Sequence, residues 1–305
     1  MKHEINKKEC LDACRLCPRD CNVNRNEGKI GYCRETSKVH LSRAALHMWE
    51  EPCISGEEGS GAVFFSGCAM RCVFCQNHEI SNGTIGKEVT VERLAEIFLE
   101  LQEKGANNIN LVTPSHYVIQ IIEALTIAKK AGLHIPIVYN SSGYEKVETL
   151  KMLEGYIDIY LPDFKYMEEE RAIRYSNAKG YSEFAKKAIE EMVRQTTPAK
   201  FDERGIMQKG VIVRHLQMPE GMEDSKKIIQ YLYSTYKDEI YISIMNQYTP
   251  LEGVKDYDEI NRKLTEKEYD ELVDYAIDLG VENGFIQEGD TAKESFIPAF
   301  DYEGV

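Results

Sequence analysis

The chain has 305 residues, 43% of them hydrophobic, and a formal net charge of −14. It is long enough for one large domain or two modest ones, and its acidity argues against a broad grip on a nucleic-acid backbone, which depends on clustered Lys and Arg. With no run of 18 or more apolar residues and a charged start, MKHEINKKEC, that lacks the apolar stretch of a signal peptide, neither a membrane span nor export is expected, and the predicted location is the cytoplasm.

Residues 1–60 are rich in Cys, Arg and Asn with little periodicity, and read as a small metal-binding lobe followed by a linker. From there strands and helices alternate. Short β-branched or aromatic runs predict strands at 61–67, 108–113, 135–140, 157–164, 211–216 and 240–245. Apolar residues at three- and four-residue spacing predict helices at 91–104, 117–131, 145–153, 183–195, 225–236 and 266–279. The strands are apolar on both faces, as in parallel sheets covered by crossover helices. The predicted fold is α/β, a partial (β/α)6 TIM-like barrel over residues 61–283, preceded by the Cys-rich lobe and followed by a tail, 284–305, that covers an edge. A doubly wound sheet is the alternative, because sequence does not reveal closure.

Nine cysteines are unevenly placed: five between Cys10 and Cys33, Cys53 alone, and three between Cys68 and Cys75. Without an export signal, tight clusters point to metal rather than disulfides. Cys68, Cys72 and Cys75 stand in C-x3-C-x2-C spacing directly after the first predicted strand. Three close thiolates suit a [4Fe–4S] cluster with one iron free of a local protein ligand; the other reading is zinc, with His78 as a fourth ligand. Cys14, Cys17, Cys21 and Cys33, in C-x2-C-x3-C-x11-C spacing, can close a tetrahedral zinc site or hold an auxiliary cluster, zinc being the less demanding choice. Cys10 could replace one of the four, and Cys53 has no obvious partner. Gly28 and Gly31 suit the tight turns of such a loop, Asn24 and Arg25 could hold the lobe against the barrel, and Glu50 and Glu51 could be substrate contacts or a solvated pair.

The triplet with aromatic Phe74 before its last Cys resembles the signature of the radical S-adenosylmethionine (SAM) superfamily. That resemblance implies a [4Fe–4S] cluster whose open iron binds SAM, reductive SAM cleavage to a 5′-deoxyadenosyl radical, and a reducing partner such as flavodoxin or ferredoxin. More narrowly, CRLCPRDCNVNRNEGKIGYC, EEPCISGEEGSG, FFSGCAMRCVFCQN, YLPDFKY and VRHLQMP resemble the pyruvate formate-lyase activating enzymes, in particular PflX-type relatives. By that resemblance Asp163 and Lys165 match an Asp-x-Lys pair that contacts SAM, Arg214 or His215 a fifth-strand Arg, Asn140 and Gly143 an Asn–Gly loop, and Asn246, Gln247 and Tyr248 a segment after the sixth strand. Where those enzymes carry Gly-Gly-Glu, this chain reads VTPSHY; Thr113, Ser115 and His116 can hydrogen-bond but bring no carboxylate. Three functions follow as expectations: activation of a glycyl-radical enzyme by abstraction of a backbone glycine hydrogen, radical modification of a small molecule or peptide, and a non-catalytic Fe–S or zinc protein.

Overall fold

The structure is a computed structural model that describes residues 7–287 and 298–305. The first six residues of the N-terminal stretch and residues 288–297 of the predicted tail lie outside the described residues. The strands are β1 Val39–His47, β2 Ser60–Phe65, β3 Lys87–Val89, β4 Ile109–Val112, β5 Ile137–Ser141, β6 Ile159–Pro162, β7 Lys200–Phe201, β8 Met207–Leu216, β9 Tyr241–Met245 and β10 Gly284–Ile286. The helices are α1 Lys7–Asp12, α2 Pro52–Ser55, α3 His78–Ser81, α4 Val91–Glu103, α5 Val118–Lys130, α6 Val147–Met152, α7 Glu169–Ser176, α8 Tyr181–Thr196, α9 Met222–Tyr236 and α10 Glu266–Leu279.

Strand order is β10-β9-β8-β6-β5-β4-β2-β1-β3. The six predicted strands are β2, β4, β5, β6, β8 and β9; each lies parallel beside the next in the chain. A doubly wound sheet would reverse direction at a switch point, and this order never does. The result is a partial TIM-like barrel. It stays open because the end strands β10 and β3 do not pair with each other.

Alternate residues of each strand serve different layers, as a two-residue period requires. Val63, Leu111, Tyr139, Tyr160 and Val213 join the outer core under the helices, while Val138, Ile159, Leu161 and Ile212 join an inner cluster. Helices start where polar side chains satisfy free backbone N–H groups. The Thr90 side chain caps α4 by accepting from the Arg93 N–H, and Thr265 with Glu268 forms a reciprocal capping box on α10.

Several elements were not legible in the sequence. β1, β3 and β10 extend the predicted strands at both edges: β1 runs antiparallel to β2, β3 antiparallel to β1, and β10 parallel to β9. β1 lies before residue 60 yet belongs to the sheet, paired with β2 and β3, and its burial does not alternate cleanly, with Ser42, Ala44 and Ala45 all buried. Residues 298–305 run along the other edge of β1, where the Tyr302 N–H donates to the Ser42 carbonyl (3.0 Å) and the Ala44 N–H to the Glu303 carbonyl (2.8 Å).

The segment read as a linker closes the barrel floor. His47 pairs with Ser60 at the start of β2, so α2 lies under the N-terminal strand ends. The Asn107 and Asn108 amides donate to the carbonyls of Ser55 (2.7 Å) and Ile54 (2.8 Å). Cys53 and Ile54 pack into the inner cluster; burying an Ile side chain stabilises by roughly 1.5–3 kcal/mol. The N-terminal lobe packs on α5 and α6 through Leu11, Cys14 and Leu16 against Ile119, and the Thr149 hydroxyl donates to the Leu16 carbonyl (2.7 Å). Among the described residues no helix is long and apolar enough to cross a membrane.

Candidate active site

A cavity of about 540 Å³ opens at the C-terminal ends of the parallel strands, the end where barrels of this type place chemistry. The loop after β2 contributes Cys68, Cys72, Phe74 and Cys75 to its wall; β4 contributes Thr113, β5 Asn140, the end of β6 Asp163 and Lys165, β8 Arg214, and the segment after β9 Gln247. Their side chains form one connected network. Asp163 Oδ2 accepts from Lys165 Nζ (2.6 Å) and Oδ1 from Arg214 Nε (3.0 Å). Arg214 Nη2 donates to Asn140 Oδ1 (2.7 Å), and Nη1 to Glu50 Oε2 (3.2 Å). Burial opposes ionisation of Asp163, but the Arg214 and Lys165 charges outweigh it and hold the carboxyl below its usual range. Burial likewise opposes the charges on Lys165 and Arg214, and the facing carboxylates outweigh it for both. The network presents two cations, the carboxylates of Asp163 and Glu50 and one amide to the cavity, a set that can hold a carboxylate and ribose hydroxyls.

Three residues singled out in the sequence are not on the cavity wall. Ser115 lies in a 3-10 turn, Ser115–Tyr117, and its hydroxyl donates to buried Glu145 Oε1. The His116 ring turns the other way, Nε2 lying 2.7 Å from the Ser66 carbonyl, and burial, then the Arg25 charge, push its pKa down to about 3. The Tyr248 hydroxyl donates to the Ile260 carbonyl (2.8 Å), its ring 5.9 Å from that of Phe74. Of VTPSHY, Val112 and Thr113 line the cavity, Thr113 with a left-handed φ of 61°. Of the three other positions considered in the sequence, Asn246 is off the wall, Gly143 lies beneath Asp163, and the His215 ring is buried off the wall between the Phe164 carbonyl (2.8 Å) and the Ser225 hydroxyl (2.8 Å).

The structure also brings in residues that sequence reading left open. Glu50 and Glu51 rise from the floor segment; Glu51 is buried and accepts from the Ser243 hydroxyl (2.8 Å). Met48, Trp49, Phe285 and Ile286 line the open side of the barrel. The signal in the sequence was the acidic pair set directly before Pro52, in a segment otherwise read as linker.

The pattern of the radical SAM superfamily matches residues 62–205. An uncharacterized protein of Methanocaldococcus jannaschii, MJ0674, is 31% identical over 285 residues, which cover 90% of this chain and 77% of that one. The chain belongs to the radical SAM superfamily. This radical SAM enzyme is also 28% identical over 183 residues to the pyruvate formate-lyase-activating enzyme of Clostridium pasteurianum, covering 58% of this chain and 68% of the relative. The crystal structure of methylornithine synthase superposes with a TM-score of 0.51 at 15% identity, over 82% of this chain and 76% of that one, a likeness of fold.

A radical SAM enzyme uses a [4Fe–4S] cluster and SAM, and the donor set on the cavity wall fits both. Three thiols from one short loop face the cavity, while His78, the alternative fourth zinc ligand, is exposed at the start of α3 and off the wall. As placed, no three Cys, His, Asp or Glu donors among the described residues stand at metal-coordination distance from one point; the fit is one of donor chemistry. The Ser176 hydroxyl donates to Cys72 Sγ (3.0 Å) and the Met70 N–H to Cys68 Sγ (3.3 Å). Enclosure, reinforced by the neighbouring thiols, pushes Cys75 up to about 12; a bound cation is what would make such a thiolate stable.

The lobe of this radical SAM enzyme gathers Cys14, Cys17, Cys21 and Cys33. Burial pushes Cys17 up to about 12 and Cys33 up to about 11. The Tyr32 N–H donates to Cys21 Sγ (3.2 Å). Gly31 lies close beside two of the thiols: a Cβ there would be 3.3 Å from Cys21 Sγ, a tight contact, and 3.7 Å from Cys33 Sγ. Arg25 is fully buried and donates to the carbonyls of Thr36 (3.1 Å from Nε) and His116 (2.6 Å from Nη1), tying the lobe to the barrel. Cys10 is half-buried at the lobe's margin, and Cys53 lies in the barrel floor.

Proposed function

We propose that Cys68, Cys72 and Cys75 hold the [4Fe–4S] cluster and that the radical generated there abstracts a hydrogen atom from a protein or peptide substrate, in the manner of a glycyl-radical activating enzyme. The observation that carries this reading is one cavity that joins the three thiols to the Asp163–Lys165–Arg214–Asn140 network. The cluster that Cys68, Cys72 and Cys75 would hold, once reduced by an outside donor such as flavodoxin or ferredoxin, would supply the electron for cleavage of SAM to methionine and a 5′-deoxyadenosyl radical. Lys165 and Arg214 anchor SAM's carboxylate, Asp163 and Asn140 take ribose hydroxyls, and Phe74 packs beside the last thiol. Ser115, His116 and Tyr248 support the wall from behind, and Thr113 stands where a Gly-Gly-Glu stretch would. Met48, Trp49, Phe285 and Ile286 form the apolar entrance for the substrate. Residues 14–33 form a four-thiolate zinc or Fe–S lobe, residues 61–283 the catalytic barrel, and residues 298–305 cover an edge of the sheet, in a cytoplasmic enzyme.

The likeness to the Clostridium pasteurianum activating enzyme favours a glycine of a partner enzyme as the target. The missing carboxylate at Thr113 favours the second reading, a small molecule or free peptide. Anaerobically reconstituted, dithionite-reduced protein is expected to release 5′-deoxyadenosine from SAM, and Cys72→Ala to release none. Equal release by both would defeat the radical reading. A glycyl doublet in the EPR spectrum after incubation with a glycyl-radical enzyme distinguishes the first substrate class from the second.

A further inference from the structure

We propose that the four-thiolate lobe clamps the cluster-binding loop, with Tyr32 as the positioning residue that joins them. The inference rests on the readings that Cys68, Cys72 and Cys75 hold the cluster and that Cys14, Cys17, Cys21 and Cys33 hold a metal.

Tyr32 directly precedes Cys33, and its backbone N–H is bound to Cys21 Sγ. Its ring has the Arg19 guanidinium 3.8 Å from the centroid and the Arg71 guanidinium 4.0 Å from it. Two cations that close cannot share one face, so the ring lies between them. Arg19 stands between Cys17 and Cys21; Arg71 stands between Cys68 and Cys72. The stack therefore runs from one cysteine cluster to the other.

Two further links join the same parts. Arg19 Nε donates to the Ala69 carbonyl (2.7 Å) and Nη2 to the Ser176 carbonyl (3.1 Å). Ala69 follows Cys68, and Ser176 is the residue whose hydroxyl binds Cys72 Sγ. The lobe backbone also touches the loop's first residue. Gly67 has a φ of 81°, and a Cβ there would fall 2.5 Å from the Cys33 carbonyl oxygen.

The stack does not hold itself together. Arg19 and Arg71 repel, no carboxylate among the described residues bridges them, and Arg71 Nε is buried without a partner. Arg19 is held at its head by the Ala69 and Ser176 carbonyls, and Arg19 and Tyr32 are both anchored at their backbone within two residues of Cys17, Cys21 and Cys33. A metal on those thiolates fixes the stack, and the stack fixes Arg71, whose φ of 52° sets the bend between Cys68 and Cys72. Partners that orient metal ligands typically change metal retention about 10–100-fold when removed.

The test compares Tyr32→Leu, Tyr32→Phe and Arg71→Gln with wild type in the full-length reconstituted protein. The readouts are iron release to a chelator, the EPR spectrum of the reduced cluster with and without SAM, and the metal content of the lobe. Tyr32→Leu is expected to release iron about ten-fold faster and to change the EPR line shape, with lobe metal retained. Tyr32→Phe, which keeps the ring, should behave as wild type, and Arg71→Gln should reproduce the Leu phenotype in weaker form. Wild-type iron release and spectra from both Tyr32→Leu and Arg71→Gln would overturn the clamp, as would loss of lobe metal from Tyr32→Leu. If Tyr32→Leu does not fold, Arg71→Gln decides alone. Cys72→Ala is the control for the underlying reading: an unaltered cluster in that variant rejects the ligand assignment itself, whatever Tyr32 does.

Discussion

Asp163→Asn tests the cavity network most directly. The carboxylate lies between Lys165 Nζ at 2.6 Å and Arg214 at 2.9–3.0 Å, and Asp163, Lys165 and Arg214 side chains are only 14–15% exposed. Removing one member of a buried pair costs about 3–5 kcal/mol, because the remaining charge stays desolvated. Here Glu50 remains 3.2 Å from Arg214 and the new amide oxygen can still accept, so the low end applies, about 3 kcal/mol. At about 2 °C per kcal/mol for a chain of this size, the melting temperature should fall by about 6 °C. SAM affinity by equilibrium dialysis should fall about ten-fold or more, the scale of a lost hydrogen bond to a charged group. The pH dependence carries a sign. Although burial opposes it, the net effect is a lowered Asp163 pKa. The wild-type advantage should therefore be fully present above the unfolded pKa of about 4 and fade as pH falls through the folded value below it. A melting temperature within about 1 °C of wild type, with unchanged SAM binding, would refute the argument, since the combination cannot occur if the pair is buried and in contact with SAM.

Glu145 is fully buried, and despite hydrogen bonds from Ser115 and Tyr139 its burial pushes the pKa up to about 7. A raised folded pKa stabilises below the unfolded value and that contribution is lost as pH rises through about 7. Glu145→Gln should therefore gain on wild type by about 2 kcal/mol between pH 5 and pH 8 in urea unfolding; parallel pH profiles would contradict it. Thr113→Gly should raise stability by about 0.5–1 kcal/mol, since it relieves a β-branched residue at a φ of 61° and gives back part of the gain in chain entropy. A lower denaturation midpoint would show that the Thr side chain contributes more to the wall than its backbone conformation costs.

Local signals carried much of the fold. The runs of apolar residues in β2, β4, β5 and β6 are buried along their whole length, and such runs announce parallel strands without any knowledge of their neighbours. The capping residues Thr90 and Thr265 act on N–H groups three residues away, so α4 and α10 were readable to within a residue. β3 and β10 were not, because edge strands depend on which chain lies beside them. The 48–59 segment failed for a related reason: its polar, Gly-rich sequence looks like a linker, and only the Asn107 and Asn108 amides turn it into a floor.

The same division applies to the site. Spacing along one loop brought Cys68, Cys72 and Cys75 together in the sequence itself, since a few covalent bonds keep them close wherever the loop lies. The sequence could likewise pair Asp163 with Lys165, two residues apart. Tertiary structure decided that Glu50 meets Arg214 across 164 positions and Arg214 meets Asn140 across 74. It also decided that Ser115 and His116, adjacent in sequence to Thr113, turn away from the cavity, because a 3-10 turn after β4 sends successive side chains in different directions. The contact of Arg19 with the loop of Arg71 likewise spans some fifty positions. Such approaches are set by how the whole barrel closes around its core, and no neighbouring stretch of chain encodes them.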